Sequence, residues 1–585
     1  MVRQLLAIEI GRQLTSQIPD KYTLLSETAK RRGFFWSSFE IYGGVSGFID
    51  LGPLGVGLRN QIVNRWRELF LRPYGFVEVS TPIITPHRIL EASGHVDNFK
   101  DPMTECTNCH RRFRADQLAK EKSMVETEGM GLEELGKLIE ENEIKCPECV
   151  GVLGRPQNFL TMFKTNIGPY GEDVAYGRPE AAQGIFADFR RIYEVMRERL
   201  PLGIAQIGTV LRNEISPRQG PIRLREFTIM DFELFFSPSE PNCPFLWSVE
   251  DEPLTIVTEA ARLSGKDSTV SVTAADALSS GLIKTSWATF FMALSKKFLE
   301  QLGIESNNQR FFEKLHGERA HYSKQTFDLE VKLDKLGWTE VAGFAYRTDY
   351  DLQKHMQATG QDMRVFKAFD NPVERTVTKV TLRHDRLRQV FGDQVGRIAA
   401  VLATRDLSSL LTDMTGSVSV DGNDIPADCF EIKEERIKES GLKLVPHVVE
   451  PSFGVERLLY ATLEYSMRMK EDRLILSLPY SLAPTQASVY PLVNRDGLPE
   501  KAGEIFRSLL ANGVRAEYDE AGSIGRRYAR ADEAGIPIGV TADYDTLKSE
   551  TVTLRDRDSW KQIRVPVSQL VTTIAQIGRT QFPKE

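Results

Sequence analysis

The segment that most constrains the fold of this chain is residues 207–236, IGTVLRNEISPRQGPIRLREFTIMDFELFF, in which a polar loop separates two strand-like runs. The loop is rich in turn residues, so the pattern predicts an antiparallel hairpin. Because side chains alternate between the two faces of a strand, Arg212 and Glu214 are predicted to share one face of the first strand. The returning strand is predicted to carry Arg223, Arg225, Phe227, Asp231 and Glu233 on one face, and Ile222, Leu224, Met230, Phe232 and Leu234 on the other.

A sheet face that carries arginines, carboxylates and one aromatic ring is poor material for a core. One interpretation is a solvated hairpin whose strands are joined by ion pairs. The other is a site for a nucleotide triphosphate, in which arginines neutralise phosphates and Phe227 stacks on the base. Periodicity alone gives these two interpretations about equal weight.

The composition excludes several classes of protein. With 585 residues, of which 41% are hydrophobic and 26% charged, the chain has the size of about three to five ordinary domains. Disordered, collagen-like and disulfide-rich chains are therefore excluded as descriptions of the whole. The net charge of -7 argues against non-specific coating of nucleic acid, but it allows a specific RNA partner.

Nothing in the sequence predicts a membrane segment or a secretory signal. There is no apolar run of about 18 residues. The first residues, MVRQLLAIEIGRQL, lack a long apolar core and a cleavage site. They predict a short amphipathic helix or a frayed tail, and the default compartment is the cytoplasm.

Four of the six cysteines form two close pairs, Cys106/Cys109 and Cys146/Cys149. This two-plus-two spacing is typical of a four-thiolate zinc site, which is the favoured interpretation; the alternative is reduced or vestigial cysteines. His110 is predicted to be a surface residue, because four thiolates already complete a tetrahedral set.

The order of helix and strand patterns divides the chain into four parts. Residues 1–100 include a predicted helix at 56–71 and a strand at 76–79, and residues 101–155 form a small cysteine-rich insertion. Residues 156–476 continue the first part, with insertions at 265–440 around one strand near 338–347. Residues 477–585 alternate strands and helices, which predicts a compact α/β domain with a mostly parallel sheet.

Three motifs in order resemble class II aminoacyl-tRNA synthetases. Leu211-Arg212-Asn213-Glu214 and Arg223-Leu224-Arg225-Glu226-Phe227 resemble motif 2 of that class, and Val56–Pro82 resembles motif 1, which builds the dimer interface in the family. Gly454-Val455-Glu456-Arg457 resembles motif 3 in the shorter form of the glycine-specific branch. The resemblance implies an α+β fold: a catalytic domain with an antiparallel sheet and flanking helices, the cysteine-rich insertion, and a C-terminal α/β anticodon-binding domain.

Further segments resemble glycyl-tRNA synthetases of the homodimeric, archaeal and eukaryotic type. They are RRGFFWSSFEIYGG (31–44), EASGHVDNFKDPM (91–103), RPEAAQGIF (178–186), RNEISPRQG (212–220), VAGFAYRTDYDL (341–352) and VVEPSFGVERLLY (448–460). The segment 522–547 resembles the anticodon-binding domain. The resemblance covers about residues 20–575 and implies glycylation of tRNA(Gly) by a homodimer. Alternatives are a synthetase-like RNA-binding paralogue without activation, and a class IIa synthetase of another specificity.

The resemblance implies a set of residues for the substrate glycine. Because glycine has no side chain, its pocket needs carboxylates for the ammonium and little room. One methyl group forced into a filled site costs about 1–3 kcal/mol, which is adequate to reject alanine. The implied residues are Glu180, Glu450 and Ser452 at the amino group, Asp231 where the family usually places a glutamate, Arg347 at the carboxylate, and Arg114 on the substrate side. Their ordinary alternatives are a helix cap for Glu180 or Ser452 and a surface charge for Glu450.

The resemblance also implies roles in binding ATP, a substrate that brings Mg²⁺. Arg212 is expected at the α-phosphate, Arg223 and Arg457 at the γ-phosphate, Phe227 on the adenine ring, and Glu214 at the adenine amino group. Glu340, with the backbone near Val341, is expected on the acidic side of the ATP site, where it holds Mg²⁺. The remaining motif positions assigned to ATP are Asn213, Leu224, Arg225, Glu226 and Gly454.

Three positions depart from the family pattern near the implied pocket: Ala181 where threonine is usual, Asp231 in place of glutamate, and Tyr346 where aspartate or asparagine is usual. In the C-terminal domain, Arg526, Arg527 and Arg530 surround Tyr528. Arginines for phosphates and an aromatic ring for an unstacked base suit the anticodon loop. The alternative is a solvated helix face.

Overall fold

The computed structural model describes residues 20–125, 127, 129–169, 171, 173–217, 219–265, 268–403, 417–420, 423–578, 580 and 582. The predicted N-terminal helix or tail lies outside the described residues. The chain divides into two compact units, one built from the residues up to Met363 and from Pro446 onward, and one from Arg364–Val445. Among the described residues, no helix combines the length and the apolar character needed to cross a membrane.

A nine-stranded, mainly antiparallel sheet organises the first unit. Only two of its neighbouring pairs are parallel, and these join Pro253–Val257 to Gln309–Glu313 and Leu202–Leu211 to Val77–Val79. The predicted antiparallel sheet is thus confirmed. In spatial order the strands are Thr269–Thr273, Pro253–Val257, Gln309–Glu313, Gln325–Leu333, Gly337–Thr348, His447–Gly454, Glu226–Phe236, Leu202–Leu211 and Val77–Val79.

The predicted hairpin is present as Leu202–Leu211 paired with Glu226–Phe236. Its apolar face packs in the main core, where the Phe232 ring lies 6.4 Å from that of Trp66. Arg212 and Glu214 do not lie on the first strand, which is a correction. The chain leaves the extended conformation there, since the Glu214 N–H donates to the Arg212 carbonyl and Ser216 has φ +52°. Arg223 and Arg225 likewise precede the second strand.

Helices flank both faces of this sheet. The predicted helix at 56–71 is present as Pro53–Phe70, which starts earlier because proline is favoured in the first helical turn. Its residues Leu58, Ile62, Trp66 and Phe70 are fully buried. The other helices of this unit, before the C-terminal domain, are Lys21–Arg32, His87–Ala92, His95–Asn98, Ala115–Ser123, Leu132–Glu141, Ala182–Val195, Glu259–Leu263, Ala274–Ser279, Ser286–Gln301, Tyr350–Thr359 and Val455–Ser466.

Four smaller sheets complete this part of the unit. Two have two strands, Phe35–Ser37 with Ile49–Leu51 and Met467–Lys470 with Arg473–Leu476. Two have three strands: Ile84–Pro86, Asp173–Gly177 and Phe163–Ile167 in one, and Arg112–Arg114, Lys100–Glu105 and Gln157–Leu160 in the other.

The expectation of a single strand within 265–440 is wrong. Four strands of the large sheet lie there, between Thr269 and Thr348. Strand Gln325–Leu333 alternates Phe327, Leu329, Val331 and Leu333 with Asp328, Glu330 and Lys332, which is the two-residue period of a half-buried strand, so the sequence did carry a signal for it. The second unit, Arg364–Val445, contains the hairpin Val365–Leu382 and Phe430–Leu444, a short pair Ser417–Val420 and Asn423–Pro426, and helices His384–Phe391 and Val395–Ala403.

The C-terminal domain has a five-stranded sheet in the order Ala516–Tyr518, Ala487–Pro491, Ile538–Ala542, Thr551–Asp556 and Gln562–Pro566. Two neighbouring pairs are parallel and two are antiparallel, so the expectation of a mostly parallel sheet is wrong. Residues 543–550, which link the third and fourth strands, are too few for the crossover that a parallel pair needs. The helices are Leu498–Ala511, Ile524–Glu533, Tyr544–Ser549 and Leu570–Ile577.

Candidate active site

Two neighbouring strands of the large sheet, Glu226–Phe236 and His447–Gly454, position the candidate site. In their register Asp231 lies opposite Ser452, and Ile229 lies opposite Gly454. Side chains alternate along a strand, so the strands' ligand-facing residues share one face and the apolar residues Met230, Phe232 and Phe453 pack in the core on the other. The same pair of strands thus carries both the polar cluster and, further along, the edge of a cavity.

A fully buried guanidinium, that of Arg347, is the centre of the polar cluster. It donates to Asp351 at 2.8 and 2.9 Å and to Glu450 at 2.8 Å, and it lies 3.5 Å from Glu180. Strand Gly337–Thr348 ends beside Arg347 and the helix Tyr350–Thr359 begins two residues later, which brings Asp351 back to the guanidinium. Tyr322 covers the guanidinium, whose central carbon lies 3.6 Å from the ring centre.

Glu180 is held in its charged form. Its carboxylate lies 3.2 Å from Nε2 of His95 and accepts a hydrogen bond of 3.0 Å from Gln183. Burial opposes ionisation, but His95 and Arg347 outweigh it and hold the pKa of Glu180 well below its usual range. The site therefore keeps at least this one negative charge.

Burial raises the pKa of three further carboxyls of the cluster, those of Asp231, Glu233 and Glu450. Asp231 accepts hydrogen bonds from the Ser452 hydroxyl at 2.5 Å and from the Ala181 backbone at 2.7 Å, yet burial raises its pKa. Burial also raises the pKa of Glu450 to about 8, although Arg347 opposes this shift. Glu233 is buried, neither of its carboxyl oxygens has a partner within the described part of the chain, and burial raises its pKa.

This cluster can bind a small cation. The carboxyls of Glu180, Asp351 and Glu450 contact the Arg347 guanidinium, and those of Asp231 and Glu233 are buried nearby. The buried Glu233 carboxyl has no partner among the described residues, which is costly. An ammonium group would satisfy these carboxyls. Five of the six residues that the sequence assigned to glycine meet here, and Arg114 does not, because it pairs with Asp101 and Asp116 elsewhere.

A cavity of about 360 Å³ is lined by three arginines and two carboxylates, which are Arg114, Arg223, Arg457, Glu214 and Glu340. An adjoining cavity shares Glu214, Arg223 and Arg457 with it. The second cavity also has walls from Arg212, Leu224, Phe227 and Gly454. Guanidinium groups suit a polyanion, and the aromatic side chains of the two cavities, Phe227 and Trp338, suit a flat ring.

The arginines of these cavities are held by neighbours. Arg212 donates to the Pro179 carbonyl at 3.0 Å and stacks between the rings of Phe99 and Phe227. Both Nε and NH2 of Arg223 lie 2.7 Å from Glu214. Arg457 donates to the carbonyls of Ile222 and Glu340 and lies 3.1 Å from the Glu340 carboxylate.

The remaining positions that the sequence assigned to ATP have other surroundings. Asn213, Arg225, Glu226 and Val341 are not among the described residues that line these two cavities. Arg225 donates to the carbonyls of Glu214 and Ser46, so it supports the loop instead of facing a ligand. Val341 is buried in the core.

The four paired cysteines form one cluster, and their Sγ atoms all lie within 4.8 Å of one another. Cys106 and Cys149 are 3.5 Å apart and Cys109 and Cys146 are 3.7 Å apart, too long for disulfides. Zn–S bonds of about 2.3 Å in a tetrahedron place sulfurs about 3.8 Å apart, so the donor set fits zinc. Backbone N–H groups lower the pKa of Cys106 to about 6, which favours a thiolate ligand. His110 is exposed, as expected.

The arginines proposed for the anticodon are only partly available. Arg527 is buried and donates to backbone carbonyls, among them Glu520 at 2.7 Å and Gly522 at 2.8 Å, so its assignment to RNA is corrected. The hydroxyl of Tyr528 bonds Thr541, and Arg530 pairs with Asp519. Arg526 is exposed. The Arg527 guanidinium is turned inward because carbonyl groups of the turn at 520–522 accept its hydrogen bonds.

The sequence did not assign Asp351, His95, Gln183 or Tyr322 to the site, and it placed Glu233 on the polar face of its strand without a role. His95 and Asp351 lie in segments that carry the family resemblance, 91–103 and 341–352, and that resemblance was the available signal for them. Of the departures, Ala181 contributes its backbone N–H to Asp231. Tyr346 points away from Arg347 and bonds Nδ1 of His447 at 2.7 Å, so this departure does not touch the cluster.

Curated relatives identify the family of this chain, and a domain model agrees with them. A family model described as Anticodon binding domain matches residues 486–577. The chain is 45% identical over 560 residues to the glycine–tRNA ligase of Aeropyrum pernix, covering 94% of this chain and 96% of the relative. Proteins of the same name from Methanocaldococcus jannaschii and Thermococcus kodakarensis are 42% and 43% identical over 565 residues, covering 94% and 96% of this chain and 98% and 99% of the relatives.

Solved structures show the same fold at low identity. Prolyl-tRNA synthetase of Giardia lamblia in complex with prolyl-adenylate matches with a TM-score of 0.53 and 13% identity, over 94% of this chain and 74% of that one. That of Cryptosporidium parvum matches with a TM-score of 0.50 and 12% identity, over 95% and 75%. The fold is therefore that of a class II aminoacyl-tRNA synthetase, and the chain belongs to the glycine–tRNA ligase family.

Proposed function

We propose that this protein attaches glycine to its cognate tRNA in two steps, formation of glycyl-adenylate from glycine and ATP and then transfer to the tRNA 3′ end. The observation that carries the proposal is the buried carboxyl cluster around Arg347, placed on the same two strands as the nucleotide cavity. Family membership supports the reaction, and the cluster supports the amino acid.

The amino-acid site is built for an ammonium group without a side chain. Glu180, Glu450 and Asp231 bind the ammonium, and Ser452 orients Asp231. Arg347 already donates hydrogen bonds to Asp351 and Glu450, so we assign it to positioning these two carboxyl groups. To bind the carboxylate of glycine as well, Arg347 would have to give up one of these bonds. One added methyl costs about 1–3 kcal/mol in a filled site, which disfavours alanine.

The glycine carboxylate then attacks the α-phosphorus of ATP, and pyrophosphate leaves. Arg212 binds the α-phosphate and Phe227 the base, while Arg223, Arg457 and Arg114 surround the outer phosphates. Mg²⁺ bound to ATP would screen the charge of the phosphates. Glu340, at the wall of the cavity, is the carboxylate that would bind this ion. The protein contributes orientation and charge, and it supplies no covalent nucleophile.

We further propose that the four cysteines hold structural zinc and that the chain acts as a homodimer in the cytoplasm. Near motif 1, Ile41 is 91% and Tyr42 is 85% exposed, an apolar patch on the described surface that suits contact with a second copy. Sedimentation of the wild type and of Ile41→Asp tests the dimer: we expect the variant to dissociate, and a monomeric wild type would contradict it.

We also propose the four-part division at 1–100, 101–155, 156–476 and 477–585. In it, Arg364–Val445 is an insertion into the catalytic domain. Binding of tRNA(Gly) is assigned to the last part, with Arg526 as the remaining exposed arginine of its predicted cluster.

Amino-acid-dependent ATP–pyrophosphate exchange tests the main proposal, with glycine, alanine, serine, threonine and proline compared in parallel. Exchange with glycine alone is expected. Exchange with another amino acid would keep the class of enzyme and overturn the pocket assignment. Absence of exchange from folded protein with Mg²⁺ would leave only an RNA-binding role.

A further inference from the structure

The cysteine cluster and the nucleotide cavity belong to one continuous piece of structure. Cys106 and Cys146 are buried in a small core of their own, together with Phe113, Leu118, Leu135 and Ile139. Leu118 lies on helix Ala115–Ser123, and the neighbouring residue on that helix, Gln117, lines the cavity of about 360 Å³. The cluster therefore fixes the helix that forms one wall of the cavity.

Gln117 makes a direct contact with a nucleotide-site arginine. Its Oε1 accepts a hydrogen bond of 2.9 Å from NH1 of Arg223, whose other side is held by Glu214. Arg223 precedes the strand Glu226–Phe236 and lies in an irregular loop, so its position depends on such contacts. An amide oxygen can hold the guanidinium without adding a second negative charge that would compete with phosphate.

A second contact ties the same loop to the module. The Ser216 hydroxyl donates to the Arg112 carbonyl at 2.5 Å, and Arg112 lies three residues after Cys109. The strand Arg112–Arg114 also places Arg114 on the cavity wall. Both ends of the loop thus contact residues whose backbone is anchored by the cysteine cluster.

We propose that Gln117 is a positioning residue of the nucleotide site and that metal binding at the four cysteines, by holding its helix, sets the affinity for ATP. The proposal rests on the proposed function only for the identity of the nucleotide. In this proposal the metal does not contact the substrate. It acts on the nucleotide site only by holding the helix Ala115–Ser123 in place.

The test measures ATP binding by calorimetry without an amino acid, so no turnover is involved, together with zinc content by atomic absorption. The proteins are the wild type, Gln117→Ala, Gln117→Glu, Cys109→Ser and the double variant of Gln117→Ala with Cys109→Ser. Gln157→Ala is the matched control, since Gln157 is an exposed glutamine on a neighbouring strand.

We expect about one zinc per wild-type chain and an ATP affinity that falls about threefold to tenfold in Gln117→Ala, the range for one hydrogen bond. Gln117→Glu should weaken binding more, because its charge competes with phosphate. Cys109→Ser should lose zinc and weaken ATP binding, and the double variant should be no weaker than the worse single variant, because both act through one helix. Gln157→Ala should match the wild type.

The proposal is overturned if Gln117→Ala binds ATP as the wild type does, or if Cys109→Ser loses its metal with ATP affinity unchanged. Multiplying effects in the double variant would also overturn it. If Cys109→Ser does not fold, chelation and re-addition of zinc to the wild type replace it, with the same expected loss and recovery. A wild type that binds ATP but shows no glycine-dependent exchange would refute the proposed function while leaving this test intact.

Discussion

The hydroxyl of Ser452 lies 2.5 Å from Oδ1 of Asp231, across two paired strands of the large sheet. The other carboxyl oxygen of Asp231 accepts from the Ala181 N–H at 2.7 Å. The shorter aspartate, at a position where the family resemblance led us to expect glutamate, is thereby held at both oxygens. Aspartate at position 231 is therefore compatible with an ordered pocket, because the hydrogen bonds from Ser452 and Ala181 fix its carboxyl group.

Replacing Ser452 by alanine should raise the KM for glycine about tenfold or more, because a hydrogen bond to a buried carboxylate is lost. The KM for ATP should stay unchanged. Exchange kinetics with glycine and ATP varied separately measure both values, and Ser508→Ala, at an exposed helix position, is the control. An equal rise in both KM values would show that the change acts on the fold and not on the amine site.

Arg347→Gln should destabilise the protein strongly. The substitution leaves Asp351, Glu450 and Glu180 buried without their cation, a loss of about 3–5 kcal/mol for a broken buried pair. Thermal unfolding checks this, with the exposed Arg191→Gln as the matched control. A melting temperature equal to that of the control would mean that the carboxyls are already neutral or have other partners.

Glycine binding should strengthen as the pH rises from 6 to 8. Burial raises the pKa of Glu450 to about 8, so in the glycine-free protein this carboxyl holds a proton that it has released in the unfolded chain. Burial shifts the pKa of Asp231 and of Glu233 in the same direction. The free protein should therefore lose stability across this window. Glu180 stays ionised throughout, so it adds no slope.

The ammonium group of glycine binds an ionised carboxylate better than a neutral carboxyl, and Glu450 must release its proton to ionise. The affinity for glycine should therefore rise by up to about tenfold per pH unit for each proton released. The KM for glycine and the thermal shift that glycine causes, both measured at pH 6, 7 and 8, check the direction. The KM for ATP serves as the internal control. A glycine KM that falls with decreasing pH would contradict the assignment.

Gly47→Ala should impair ATP use more than Gly43→Ala. Both glycines have positive φ, +81° and +90°, so both substitutions incur similar backbone strain. Only at Gly47 would the new Cβ meet a neighbour, 2.6 Å from Cγ of Pro217, and displace the loop that carries Arg223. We expect the KM for ATP to rise about tenfold or more in Gly47→Ala alone; equal effects in both variants would assign the loss to strain.

The two-residue alternation along strands predicted the hairpin. The residues that meet around Arg347 were expected only from the family resemblance, because Glu180 and Glu450 lie on elements far apart in the chain. The alternation did not predict that Arg212 and Glu214 leave the strand, since a turn after Leu211 cancels the two-residue period. It also failed where folding turns a charged side chain inward, as for Arg527, whose guanidinium binds carbonyls of its own turn. Burial of a charged group depends on partners that are distant in the chain, such as Glu450 for Arg347.

Along the strand Glu226–Phe236, the carboxyls of Asp231 and Glu233 alternate with the core residues Met230, Phe232 and Leu234. A shift of one residue in the pairing of this strand would place Asp231 and Glu233 in the hydrophobic core and Phe232 in the pocket. Single substitutions at Asp231 or Glu233 can therefore change the pocket without moving the core, whereas an insertion or deletion in this strand would disturb both faces. Divergence in this family should appear here as substitution only, and changes in length should be confined to the loops.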